Sequence, residues 1–230
     1  MLTTPIGAVF PSALPPLGPG RSSGLLRGPA VATMRHMADD DETQKTPPMP
    51  SIFDQRLFDG RTIIVGEEVT DALYRRVASA ILAMERADAS KPITVYVNSP
   101  GGAADSGFAM YDLLRFTSCP VRTIANGLVA SAAVLVFLAA PKGSRFSMPS
   151  SRFLLHQPST VTRGQSTDID IAAREILALR RRYNTIVAEI TNKSLEVVER
   201  DSERDFWLSA QAAHEYGLVD KVVSKRTEIE

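Results

Sequence analysis

Short runs of β-branched and aromatic residues alternate along the chain with stretches in which apolar positions return every three or four residues. The runs at 62–65, 93–97, 121–125, 152–156 and 218–223 have the length and composition of strands. The stretches at 71–87, 104–116, 129–140 and 167–190 have those of helices. Strands and helices in alternation imply crossover connections, and crossovers imply parallel strands with helices on both faces of one sheet. The pattern therefore predicts the α/β class. The helix at 167–190 is the clearest element. Ile169, Ile176, Leu179, Tyr183, Ile186 and Ile190 recur at steps of seven, three, four, three and four, so they share one face, with Arg174 and Arg181 opposite. Thr167 and Asp170 have the spacing of a capping box at its start. Such a stripe suits either the chain's own core or a partner subunit, and periodicity alone does not choose between them.

Residues 1–50 lack this periodicity. They hold nine of the 15 prolines and five of the 14 glycines, with no acidic residue before Asp39 and no Lys or Arg before Arg21. This composition reads as a disordered or removable extension: an organelle transit peptide, a propeptide, or a stretch upstream of a true start at Met34 or Met37. Residues 51–230 are the size of one domain and contain no repeat.

Lys and Arg together number 26 and so do Asp and Glu, giving zero net charge and a pI near 6.9. A domain held on nucleic acid by phosphate contacts usually carries a clustered basic excess, so that class is disfavoured. Cys119 is the only cysteine, which excludes an intramolecular disulfide and a cysteine-based zinc cluster and fits a reducing, cytoplasmic compartment. The longest apolar run, 128–140, falls short of the ~18 residues that span a bilayer and contains Ser131. It reads as buried protein.

No G-x-x-x-x-G-K-S/T phosphate loop, G-x-G-x-x-G fingerprint, H-E-x-x-H helix or G-x-S-x-G elbow is present. Two segments stand out. Ile93 begins a strand that ends in Asn98-Ser-Pro-Gly-Gly102. Adjacent glycines serve a tight turn, or leave a backbone N–H bare enough to meet a substrate oxygen. In Ile124-Ala-Asn-Gly-Leu-Val-Ala-Ser131, a strand runs into a helix at Ser131. A serine there is a helix-start hydroxyl, or a nucleophile beside amides aimed at a developing oxyanion. A base would have to come from three histidines. His36 lies in the extension, His214 in a surface-type helix, and His156 ends a strand at Gln157-Pro158, beside a loop. Asp201-Ser-Glu-Arg-Asp205 supplies three candidate carboxylates without choosing one.

Taken in order, Asn98-Ser-Pro-Gly-Gly102, Ala130-Ser131, Met148-Pro149, His156-Gln-Pro158, Gly164-Gln165 with Thr167-Asp-Ile169, and Glu199-Arg-Asp201 through Glu203-Arg-Asp205 resemble the proteolytic subunit of the Clp protease over residues 53–223. The resemblance implies a crotonase-like spiral of βαβ units with a protruding handle helix from Thr167, which joins two stacked heptameric rings. It places the nucleophile on Ser131, the base on His156, the acid on Asp205, and the oxyanion donors on the backbone N–H groups of Gly102 and Ala132. It implies a serine endopeptidase that degrades unfolded polypeptides. ATP would be consumed by a separate hexameric AAA+ unfoldase, and this chain would bind no cofactor or metal. That partner would dock on a pocket at Tyr96, Phe116, Phe146 and Met148, where Thr94 replaces a customary aromatic residue. Ala132-Ala133 stands where the family has Met-Gly, which implies a differently shaped specificity pocket. Thr160-Val161 replaces a pair of glycines, and Pro47-Pro-Met-Pro50 departs from the family's axial-pore loop. The alternative is a specialised or non-catalytic subunit acting as scaffold in a mixed ring. An acyl-CoA enzyme on the same fold is a third reading, disfavoured by the triad. The resemblance implies a cytoplasmic protein, or an organelle-matrix one if residues 1–50 are a transit peptide.

Overall fold

A computed structural model describes residues 52–159 and 163–229. A short helix α1 (Ile52–Asp59) leads into β1 (Thr62–Val65), α2 (Asp71–Ala87), β2 (Ile93–Ser99), α3 (Ala104–Phe116) and β3 (Val121–Ala130). Helix α4 (Ala132–Leu138), β4 (Arg145–Ser147), β5 (Arg152–Leu155), the long α5 (Ser166–Thr191) and α6 (Leu195–Asp201) follow. The chain closes with β6 (Phe206–Ser209), α7 (Ala210–Tyr216), β7 (Lys221–Val222) and a 3₁₀ turn at Arg226–Glu228. Strands β1-β2-β3-β4-β7 form a parallel sheet, as the alternating pattern predicts. Local rules explain the flanking helices. Thr70 caps α2 by accepting from the Leu73 N–H, and Leu73, Val77, Ile81 and Met84 then bury one stripe of it. All seven residues of α4 are apolar and all are buried, because that helix packs on β2 and β3 and also meets α3 and α5.

The departures from the sequence pattern lie where long-range contacts override it. The strand expected at 121–125 runs on to Ala130, through an Asn126-Gly127 pair that resembles a turn. Gly127 permits this because the Asn98 side chain occupies the space a Cβ would need, and Asn98 Oδ1 accepts the Leu128 N–H at 2.9 Å. The helix expected from residue 129 accordingly begins at Ala132. The last strand shrinks to Lys221–Val222, although Leu218 and Val219 stay buried. Helix α5 starts one residue early, at Ser166 with Gln165 at the cap, so Thr167 lies inside the helix and no capping box forms. Asp170 pairs instead with Arg174.

The expected stripe is buried unevenly: Ile169 is exposed, Ile176, Leu179, Ile186 and Ile190 are half-buried and Tyr183 is buried, while the helix's other buried residues, Asn184, Val187 and Ala188, are not among its positions. Among the described residues no helix is long and apolar enough to cross a membrane. The extension at 1–50, the Pro47–Pro50 departure and Thr160-Val161 lie outside the described residues.

Candidate active site

Strand β3 has two halves with different neighbours. Its first half pairs with β4. Its second half pairs in parallel with β5, Leu128 opposite Arg152, Val129 opposite Phe153 and Ala130 opposite Leu154. Beyond the last pair, the Ser131 N–H donates to the Leu154 carbonyl at 3.0 Å, fixing Ser131 beside the end of β5. On its other side β5 pairs antiparallel with β6, ending at Leu155 opposite Phe206. The next step of that ladder sets His156 against Asp205, and their side chains meet, His156 Nδ1 to Asp205 Oδ1, at 3.2 Å. Three residues distant in sequence thus stand at the mouths of three adjacent strands because register puts them there.

Register also separates the carboxylates of the charge run. Asp201 accepts from the Tyr216 hydroxyl at 3.1 Å and pairs with Arg200, so it is engaged elsewhere. At Glu203 it is the backbone carbonyl that receives Gln157 Nε2, at 3.0 Å. Only Asp205 reaches His156. Of the other histidines, His214 bonds through Nδ1 to the Val219 carbonyl, and His36 lies outside the described residues.

Ser131 caps α4 with φ 54° and ψ −126°, a conformation L-residues rarely adopt. Holding it there costs about 1–3 kcal/mol, which the buried strand and helix on either side must over-determine. The Gly101-Gly102 turn presses against this point. A Cβ on Gly101 would stand 2.6 Å from the Ser131 Cβ and from the Ala130 carbonyl oxygen, and Gly101 has φ 90°. Only glycine fits there. Among the described residues, neither the Gly102 nor the Ala132 N–H has a hydrogen-bond partner. Both residues line a cavity of about 380 Å³ together with Ser131 and His156. The Ser131 hydroxyl and the His156 ring share that cavity without a hydrogen bond between them among the described contacts.

Helix α5 closes the cavity with Ile176, Leu179 and Tyr183. The apolar stripe therefore serves this chain's own cavity over its middle turns. Tyr183 donates its hydroxyl to the Ser131 carbonyl at 3.5 Å, and burial pushes its phenol well above the usual tyrosine range. Periodicity puts these three on one helical face but not at this site, because a stripe does not name what it packs against. Asp105, in the first turn of α3, lines the same cavity and carries no signal in the sequence. Among the described residues no group of three His, Cys, Asp or Glu side chains could hold a metal ion.

The four residues expected to form a partner-docking pocket are only partly together. Tyr96 and Met148 line one small cavity of about 170 Å³, together with Ile124, Val223 and Ile229. Phe146 sits on β4 opposite Ile124, half-buried and outside that lining. Phe116, at the end of α3, is 82% exposed and lies outside it too.

Comparison with known proteins bears on this arrangement. The model of the Clp protease family matches residues 49–226, most of the chain. The chain belongs to the Clp protease family. Among curated relatives of this Clp family member, it is 44% identical over 179 residues to the ATP-dependent Clp protease proteolytic subunit 2 of Treponema pallidum, covering 78% of this chain and 90% of the relative. It is 40% identical over 195 residues to the proteolytic subunit 3 of Rhizobium etli, covering 84% of this chain and all of the relative. The solved structure of a ClpP1 point mutant from Listeria monocytogenes superposes with a TM-score of 0.72 at 36% identity, covering 78% of this chain and all of that one. The fold is accordingly the Clp-type α/β spiral.

Proposed function

We propose that this chain is a serine endopeptidase in which Ser131 is the nucleophile, His156 the general base and Asp205 the group that orients the base. The observation that carries the reading is the β3–β5–β6 register, which sets Ser131 beside the end of β5 and closes the His156–Asp205 contact at its next step. With Asp205 at Nδ1, the imidazole presents Nε2 toward the cavity as the proton acceptor. Ser131 Oγ attacks a peptide carbonyl, its proton passes to His156, and the imidazolium that forms is stabilised by the Asp205 carboxylate. The carbonyl oxygen gains charge where the Gly102 and Ala132 amides are free to donate, and the N-terminus of α4 adds its dipole. His156 then returns the proton to the leaving amine. Water, deprotonated by the same ring, hydrolyses the acyl-enzyme. The Ser131–His156 hydrogen bond forms with substrate, since such contacts tighten only in the reacting complex.

The family resemblance, with relatives named as ATP-dependent proteolytic subunits, extends the reading to assembly and energy supply. The chain carries no nucleotide-binding loop, so ATP hydrolysis falls to a separate hexameric AAA+ unfoldase that threads polypeptide into a chamber of two stacked heptameric rings. The exposed first half of α5, with Ile169 and Ile171, is the surface that would join the rings, in the cytoplasm. One observation favours the alternative of a scaffolding subunit in a mixed ring: the open Ser131–His156 contact. Cleavage of a fluorogenic peptide by the assembled protein separates the two readings. Ser131→Ala should lower kcat by roughly 10³-fold or more if the three residues act as a unit. An undiminished rate refutes the assignment.

A further inference from the structure

The cavity beside Ser131 has an uneven lining. Phe108, Leu135, Ile176 and Leu179 make its walls apolar; among the described residues, Asp105 is its single carboxylate and no Lys or Arg lines it. Neighbouring acids on the same face of the fold have partners. Asp71 accepts from the Ser106 hydroxyl at 2.6 Å, and Asp112 accepts from Arg182 at 3.0 Å. Asp105 has neither a hydrogen bond nor an ion pair with any described residue. An acid in the first turn of α3 suits the helix dipole, which accounts for its tolerance but not for its place on the rim of an apolar cavity at the reacting serine.

We propose that Asp105 determines specificity, by receiving the cationic end of the side chain on the residue whose carbonyl Ser131 attacks. The inference rests on the peptidase reading above. A Lys or Arg stem is long enough to lie along apolar walls while its charged head stays at the wetter rim, where a carboxylate accepts a charge-assisted hydrogen bond. An uncharged apolar side chain fills the same walls but leaves Asp105 without a partner. Asp105 would thus add preference to a site that already accepts apolar groups, without taking part in the chemistry.

The test uses two peptides identical except at that residue, one carrying lysine and the other norleucine, its uncharged near-isostere. Their kcat/KM ratio, measured on one enzyme preparation, cancels any loss of folded or assembled protein. In the unmodified protein the ratio should favour lysine. Asp105→Asn should lower it by about two- to fivefold, the range expected of a rim ion pair, and Asp105→Lys should invert it. A ratio that Asp105→Asn leaves unchanged, while Ser131→Ala abolishes cleavage of both peptides, overturns the Asp105 inference alone. If Ser131→Ala spares cleavage of both, the peptidase reading itself fails.

Discussion

Ser131 and the His156–Asp205 pair meet at one cavity, yet they are built in opposite ways. Ser131 sits between Ala130 and the wholly buried α4, pinned by a backbone bond to Leu154 and pressed by Gly101. The pair sits at the rim: the His156 side chain is 33% exposed and that of Asp205 64%. What holds the pair is the short β5–β6 ladder and a few hydrogen bonds. The Gln157 N–H donates to the Ser202 carbonyl, Gln157 Nε2 to the Glu203 carbonyl, and the Ser202 hydroxyl to Asn184 on α5. The geometry at Ser131 is thus over-determined by the core, and its strain is affordable for that reason. The His156–Asp205 geometry depends on surface structure that can shift without unfolding the domain.

Two substitutions should separate these halves. Asp205→Asn removes the carboxylate charge that faces His156, and on the proposed mechanism orients it, from a mostly solvated position. Peptide cleavage should fall by about 10³-fold in kcat, while the thermal midpoint stays within about 2 °C, because exposed ion pairs contribute little to stability. A large drop in the midpoint would show that the rim also supports the fold. Gly101→Ala should do the reverse and act through the core. Its Cβ would meet backbone and the Ser131 Cβ at 2.6 Å, at a φ unfavourable to any L-residue. Overpacking and strain together should cost about 3 kcal/mol. The loss should appear as a lower denaturant midpoint at unchanged slope, with activity falling alongside.

The same contrast explains how much could be read from the chain. Strand–helix alternation survives in the sheet because burial on both faces writes itself into local periodicity. The apolar run around Ser131 and the strand-end position of His156 marked both residues, since each depends mainly on its immediate neighbours in sequence. Composition and spacing leave Asp205 level with Asp201 and Glu203, and only the family resemblance singles it out. Its selection comes from an antiparallel register set by residues fifty positions away, and a charge run carries no trace of that register. The true length of β3 was hidden for the same reason, because Asn126-Gly127 is a turn signal until the Asn98 side chain fills the space at Gly127. The stripe on α5 was legible as a face, but its division between cavity, core and exposed surface was not.

Two phenols, Tyr183 at the cavity and the half-buried Tyr216 on α7 outside its lining, offer the finest comparison. Burial pushes Tyr183 well above the usual tyrosine range, reinforced by Tyr216. Burial does the same to Tyr216, helped by its hydrogen bond to the Asp201 carboxylate. For a group whose value rises on folding, its share of stability is complete below the unfolded value. That share is lost as pH climbs from there toward the folded value. With an unfolded phenol near pH 10, stability to denaturant should be flat from neutrality to about pH 10 and decline above it. Tyr183→Phe should cost under about 1 kcal/mol at neutral pH, since its 3.5 Å contact with the Ser131 carbonyl is at the limit of a hydrogen bond. Above pH 10 it should flatten the decline by about 1.4 kcal/mol per pH unit, one proton's worth. An alkaline slope that Tyr183→Phe leaves unchanged would mean that the phenol under Ser131 is wetter than its burial implies, and that the core side of the site opens as readily as the rim.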